Sequence, residues 1–400
     1  MICQVYLFIF YLSSDKIDLM LSLLYILVSL ANSFLAYRLL RSFLKYRQKT
    51  ISKNNFKLDE MPSVSVLIPA RNEQTAMTEC LERVLSSSYP KMEIIVLDDN
   101  SVDNTSDRVK AFAHSGVRFI RGEEPPEGWL GRNYAYERLS SEASGDYLLF
   151  LSVDTKISRD TINLMASFIL NNKAKMLSIL PSRNDNYRAS VLFSTLRYYL
   201  ELILGRHSNP PSSSGAWMIE REILINQLNG FIKYRQAIMP ESEIAKTLNI
   251  EDGELFEVEN PHYRFVIDEG KFGVNFEKKW SSQIQTEQRN FALRIFKNPS
   301  IILLILPFLT LHFLPFAIVT AKTVMNQFDT IFALYLLQVI FSVLIYGCYT
   351  SLVWSRGAWL GALLYPVIIL QEICIFIYGI YRRFFGRMVW RGREIDFRKF

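Results

Sequence analysis

Four acidic residues stand where alternating strands and helices gather ligand-binding groups. Glu73 follows the apolar run Val64–Pro69, Asp98 and Asp99 follow Met92–Leu97, and Asp154 follows Tyr147–Leu151. Arg71 and Asn72 sit beside Glu73. Carboxylates converging from several strands suit a divalent cation, which in turn holds phosphate oxygens. Any one of these acids could equally cap a helix or turn the chain; the set as a whole calls for a ligand. A dinucleotide site would place glycines after its first strand, but here Pro69-Ala70-Arg71-Asn72-Glu73 stands there, and no P-loop occurs. A glycosidase needs two carboxylates flanking one bond and no diphosphate site, which leaves acids at several strand ends unexplained.

The elements that must position these residues are legible between Ser63 and about Pro181. Strands are predicted at Val64–Pro69, Met92–Leu97, Val117–Arg121, Tyr147–Leu151 and Ala174–Leu180. Between them, Thr75–Leu85, Gly131–Leu139 and Arg159–Leu170 read as helices, and a further helix begins near Asp103, with Asp103 or Asn104 as its cap. This alternation predicts an α/β fold with a mainly parallel sheet and helices on both faces. Ligands in such sheets bind at the carboxyl ends of the strands, where the acids lie.

Half of the 400 residues are hydrophobic, and the net charge is +6. The basic excess falls in Arg38, Arg41, Lys45, Arg47 and Lys49 and in the tail from Arg382 to Lys399. Both clusters adjoin apolar runs, so they read as anionic-lipid contacts and topology signals rather than a nucleic-acid groove. Leu19–Tyr37 is an uncharged run long enough to span a membrane, and it is too long for a cleaved signal peptide. The basic residues after it predict a cytoplasmic domain. Met1–Leu12 reads as an upstream extension or an interfacial segment. Ile301–Ala321, Thr330–Ser355 and Gly357–Tyr381 are further spans, interrupted by Pro307, Pro315 and Glu372. Three full crossings would put the Arg-rich tail opposite the catalytic domain, against its charge. Either the Pro-broken segment turns back, or one long run divides differently. Cys3, Cys80, Cys348 and Cys374 have no metal-like or redox-like spacing. The expected organisation is an anchor over 1–45, a catalytic domain over 60–298 with halves at 60–182 and 183–298, membrane segments over 299–381 and a basic tail over 382–400.

Val66-Leu67-Ile68-Pro69-Ala70-Arg71-Asn72-Glu73 followed by Leu97-Asp98-Asp99-Asn100-Ser101 resembles the opening of the family 2 inverting glycosyltransferases of the GT-A fold. The resemblance covers roughly Ser63 to Leu248. It implies that Pro69, Arg71, Glu73, Asp98 and Asp99 frame the donor nucleoside, with Asp99 near the ribose or base. Ser152-Val153-Asp154-Thr155 falls where relatives carry Asp-x-Asp; the first Asp is replaced by Ser152, and Asp154 remains the expected ligand of Mg²⁺ or Mn²⁺. Gly128-Trp129-Leu130-Gly131-Arg132 resembles a Gly-Trp-x-Gly-Lys element of lipid- and carotenoid-modifying members, which implies that Arg132 meets the diphosphate. Met239-Pro240-Glu241-Ser242-Glu243 aligns with the Glu-Asp segment of relatives, placing Glu241 at the catalytic-base position with Glu243 as the alternative. Both acids also suit the first turn of a helix. Gln285 and Arg289 are one residue too far apart for the Gln-x-x-Arg-Trp of processive members, and no Trp follows. Val389-Trp390-Arg391-Gly392-Arg393 resembles a Trp-Lys-Gly-Arg element of non-processive, lipid-directed members.

The resemblance therefore implies non-processive, inverting transfer from a nucleotide-sugar, a UDP-sugar first, to a lipid or isoprenoid acceptor by a multi-pass cell-membrane protein. Ala189–Leu204 is read as an interfacial amphipathic helix beside the acceptor or as a buried core helix. A catalytically silent membrane scaffold is the alternative, supported by Ser152 and by Glu in place of Asp at 241. A transporter is disfavoured, because the C-terminal segments show no repeat and only Glu372 as an intramembrane charge.

Overall fold

Helix α1 (Ser14–Tyr46) leads into the α/β region of the computed structural model, which describes residues 14–47, 60–183, 188–206, 209–251, 262–354 and 357–396. Met1–Leu12, Cys3, Lys49 and Lys399 lie outside the described residues. The 33 residues of α1 rise about 50 Å at ~1.5 Å per residue, which exceeds a hydrocarbon core of about 30 Å. Leu23, Leu27 and Leu30 are more than half exposed along it.

Then follow β1 (Val64–Ala70), α2 (Met77–Leu85), β2 (Met92–Asp98), α3 (Thr105–Lys110), β3 (Val117–Arg121), α4 (Gly131–Glu142), β4 (Tyr147–Leu151), β5 (Thr155–Ile157) and α5 (Thr161–Asn171). Next come β6 (Met176–Leu180), α6 (Arg188–Leu192), α7 (Arg197–Leu204), β7 (Ala216–Glu220), α8 (Pro240–Glu251), β8 (Tyr263–Ile267) and β9 (Val274–Phe276). Seven strands form one sheet in the order β3-β2-β1-β4-β7-β6-β8. β1 runs parallel to β2 and to β4, whereas β7 is antiparallel to both its neighbours. The sheet is thus mixed and mainly parallel, as expected. The antiparallel β7 has no separate pattern in the sequence: Ala216–Ile219 is fully buried on both faces, like the parallel strands.

One sheet face packs Met77, Leu81, Val84, Ile162 and Met165. The other packs Tyr136, Phe150, Trp217 and Phe231, and this core continues into the membrane helices through Tyr346, Tyr349 and Tyr365. Tyr199 bridges the two, its ring 5.3 Å from those of Tyr346 and Tyr349. Ala189–Leu204 therefore belongs to the core: it divides into α6 and α7, with Tyr199, Leu202 and Ile203 buried.

Helix α9 (Trp280–Lys297) closes the α/β region, followed by α10 (Ile301–Val324), α11 (Thr330–Val353), α12 (Ala358–Leu363), α13 (Tyr365–Phe385), β10 (Arg387–Trp390) and β11 (Arg393–Asp396). Among the described residues three helices are long and apolar enough to cross a membrane: Asp18–Tyr46, Ile301–Val324 and Thr330–Val353. Asn32 ties the first to the third, donating to Gln338 Oε1 at 2.9 Å and Ser342 Oγ at 3.1 Å. Pro307 and Pro315 sit inside a continuous α10, so the Pro-broken run does not turn back. The run Gly357–Tyr381 is the one that divides: α12 is short, and α13 packs along α9 of the α/β region. Glu372 is correspondingly buried in protein, where it accepts the Leu196 N–H at 2.9 Å. α10 and α11 pack on each other, and the basic tail lies against the α/β region, where Arg393 reaches Asp99.

That tail is a hairpin. Trp390 pairs with Arg393 across a two-residue turn in which Arg391 (φ 47°) and Gly392 (φ 76°) are both left-handed. Such a turn matches the twist of its strands and favours glycine at the second position. It thrusts Arg391 out at the hairpin tip.

Candidate active site

Strand order reverses beside β1, with β2 on one side and β4 on the other. A crevice opens at that point beyond the carboxyl ends of the strands. The chain leaves β1 and β2 through tight turns at Asn72 and Asn100, each with φ 52°, a conformation asparagine tolerates better than most residues. Arg71 donates from Nη1 to Asp99 O at 2.5 Å and Asn100 O at 3.2 Å, which locks the two turns together. Asp98, expected to frame the nucleoside, lies outside the cleft lining: its carboxylate accepts from Ser101 N at 3.1 Å and from the Ser106 hydroxyl. Pro69, Arg71, Glu73, Asp99, Arg132 and Asp154 all line the cleft, as does Ser152, whose N–H donates to Gly215 O at 2.9 Å.

The hairpin tip enters this cleft. Arg393 clasps Asp99 through two contacts of 2.8 Å. Arg391 pairs with Glu73, and its carbonyl accepts from Arg71 Nε at 3.1 Å and Asn72 Nδ2 at 2.9 Å. Asp154 faces Lys278 Nζ at 3.7 Å and Arg391 Nη2 at 3.8 Å. Burial pushes the Asp154 carboxyl up and the Lys278 ammonium down, and lowers Arg391 to about 10. The remaining space is 120 Å³, well under the roughly 300–1,000 Å³ of typical ligand sites. The seated tip, with Arg391 in the cleft lining, takes up part of the space a nucleotide would need. Arg393→Ala removes a two-contact ion pair whose side chains are 15% and 11% exposed. Opening of β10–β11 is expected to become roughly fivefold easier, for a loss of about 1 kcal/mol. Hydrogen exchange confined to the hairpin measures this; unchanged exchange there would mean other contacts hold the tip.

At the inner end of the cleft Arg132, near the start of α4, donates to Glu241 Oε2 at 2.9 Å. Glu241, in the first turn of α8, is fully buried and lies 3.8 Å from Arg197 Nη2. Arg197 Nε meets Glu201 at 3.3 Å. Burial disfavours the Arg197 charge, but Tyr198, Glu201, Glu287 and Glu241 outweigh it and hold the group charged. Arg289, buried beside Arg132 and Arg197, is lowered to about 9, first by burial and then by those two cations. Glu243 is exposed and lines a second, larger cavity.

Among the described residues no three Asp, Glu, His or Cys gather into a metal cage. Asp154 is a single carboxylate aimed at the cleft. Mg²⁺ is commonly held by one or two carboxylates, with substrate phosphates completing its shell. Asp154, with the Ser152 hydroxyl nearby, fits a cation that arrives with a diphosphate rather than a preformed cage. Lys278, Arg197, Arg391 and Arg393 were not anticipated as site residues from the sequence. Arg391 and Arg393 carried a signal as part of Val389–Arg393, and Arg197 as part of Ala189–Leu204; Lys278 carried none.

Residues 65–227 match the family model described as Glycosyl transferase family 2. The chain is 30% identical to the Probable glycosyltransferase YdaM of Bacillus subtilis over 157 residues, 38% of this chain and 37% of that protein. It is 30% identical to the 4,4'-diaponeurosporenoate glycosyltransferase of Staphylococcus haemolyticus over 135 residues, 33% of each chain. The chain thus spans little more than a third of the length of these relatives. Among solved structures it is similar to a mannosyltransferase from Pyrobaculum calidifontis in complex with GDP-Man and Mn²⁺, with a TM-score of 0.52 at 14% identity, covering 90% of this chain and 99% of that one. At that identity the likeness is one of fold.

Proposed function

We propose, of a chain whose residues 65–227 belong to the family 2 glycosyltransferases, that it moves a sugar from a nucleotide-sugar, a UDP-sugar first, onto a lipid or isoprenoid acceptor, non-processively and with inversion. One observation carries the reading: Asp99, Arg132 and Asp154 converge from three different elements on one crevice at the reversal of strand order. Asp99 would meet the ribose or base, and Arg132 the diphosphate. Asp154 would hold Mg²⁺ or Mn²⁺. Such an ion, when bound with the donor, neutralises charge on the departing diphosphate.

The membrane side of the reading rests on α1, α10 and α11, and Arg38, Arg41 and Lys45 in the last turns of α1 support a cytoplasmic site. The spacing of Gln285 and Arg289 supports a single transfer per acceptor. Inversion requires an acceptor oxygen that has lost its proton when it attacks. Glu241 and Glu243 are the carboxylates proposed for that end of the site; the first is gripped by two arginines, and the second lies in the adjoining cavity.

The test is titration calorimetry of the full chain in detergent with UDP and with GDP, each with and without Mn²⁺. Binding of one nucleoside diphosphate, strengthened by the ion, is the expected result. No binding of either nucleotide under both conditions sinks the reading and favours a silent scaffold.

A further inference from the structure

A cavity of 580 Å³ adjoins the strand-end cleft, and Arg132 and Arg289 line both. The β10–β11 hairpin presents one side to each. Arg391 lines the cleft, whereas Arg387, Arg393 and Glu394 line the neighbouring cavity. Arg393 reaches Asp99 by passing close over the start of α4. A Cβ on Gly131 would lie 2.2 Å from Arg393 Nη1, so the glycine leaves the guanidinium its path. The hairpin base is fixed, with Met388 buried against Ala292 and Leu293 of α9. Its two strands have four residues each. A pair of strands that short is marginal by itself, so the seat of the tip depends on its ion pairs.

Those pairs use the acids that the transferase reading gives to ligands. Arg393 takes both oxygens of Asp99, and Arg391 pairs with Glu73. Asp154 already faces two cations, Lys278 at 3.7 Å and Arg391 at 3.8 Å. Ser152 adds no second carboxylate to offset a further charge. A divalent ion on Asp154 would therefore meet two resident positive charges at close range, where little water screens them. Lys278 is held in place, since it is largely buried and donates to Thr286 Oγ1 at 3.0 Å. Arg391 rides on the tip of a turn and is the cation that can leave.

We propose that the hairpin tip is an intramolecular competitor of the donor, a contact that holds the empty cleft shut. Seated, Arg393 occupies the carboxylate proposed for the nucleoside. Arg391 supplies beside Asp154 the positive charge that a divalent ion would bring. A nucleotide opposes the first contact and the ion opposes the second, so the two together unseat the tip. The inference rests on the transferase reading. Its consequence is quantitative: affinity for the nucleotide is reduced by the fraction of molecules whose tip is out. Weakening the seat should therefore tighten binding, whereas an arginine that gripped the donor would do the reverse when removed.

Two measurements on the full chain in detergent test this. Hydrogen exchange over 387–396 is followed before and after adding UDP or GDP with Mn²⁺. The same nucleotides are titrated calorimetrically into the wild type, Arg391→Gln and Arg393→Gln. Nucleotide with the ion is expected to speed hairpin exchange about fivefold or more, and each variant is expected to bind nucleotide with Mn²⁺ about fivefold tighter. Slower hairpin exchange on binding, or weaker binding by both variants, overturns the inference and makes the arginines a clamp on the donor. Should a variant not fold, the exchange of the wild type still decides. Nucleotide bound without faster hairpin exchange defeats only this inference. Nucleotide bound by neither the wild type nor the variants defeats the transferase reading, and this inference falls with it.

Discussion

Replacing Arg132 with methionine is expected to destabilise the protein by about 3–5 kcal/mol and to abolish transfer. The stability loss follows from what remains behind. Glu241 is fully buried, its Oε2 accepts from Arg132 at 2.9 Å, and its Oε1 makes no hydrogen bond among the described residues. Without Arg132 the nearest compensation is Arg197 at 3.8 Å, too distant for a strong hydrogen bond. Breaking a buried pair from one side costs far more than removing both partners. The double replacement Arg132→Met with Glu241→Gln should therefore recover much of the loss, with a coupling of about 1–3 kcal/mol. Thermal unfolding of the two single variants and the double variant in detergent measures the cycle. Additive losses would show that Glu241 does not depend on Arg132.

Asp154→Asn is expected to lower transfer by about 100-fold or more, the scale on which one charge-stabilising group acts on a developing anion. The substitution keeps the shape of the side chain and removes its charge. It also removes the cleft carboxylate proposed to receive a divalent ion, so the gain in nucleotide affinity on adding Mn²⁺ should vanish with it. Calorimetry with UDP or GDP shows this apart from turnover. The sheet should persist, because Asp154 follows β4 and takes no part in strand pairing. If Asp154→Asn keeps both transfer and the response to Mn²⁺, the leaving group departs elsewhere in the cleft.

The strands and their polar ends were legible because local patterns encode them. A parallel strand buried on both faces is a short apolar run, and Val64–Ala70, Met92–Asp98 and Tyr147–Leu151 each end within three residues of an acid or arginine. A membrane span is a long apolar run, so α1, α10 and α11 could be read directly. Asp98 exposes the limit of that approach: adjacent to Asp99 and identical in type, it turns into the Ser101–Ser106 loop while its neighbour faces the cleft. Successive side chains leaving a strand point to opposite sides, and the sequence does not say which side holds the ligand.

The local sequence thus determined the fold class, the long apolar helices and the chemical character of the strand ends, since periodicity and run length are properties of neighbouring residues. Tertiary structure alone decided which acids meet which cations. Arg391 reaches Glu73 across 318 positions, Arg393 reaches Asp99 across 294, and Arg132 reaches Glu241 across 109. It also decided that α13 folds back along α9, so that the tail returns to the cleft instead of leaving through the membrane. Those outcomes depend on which buried faces pack together, and no local spacing records that.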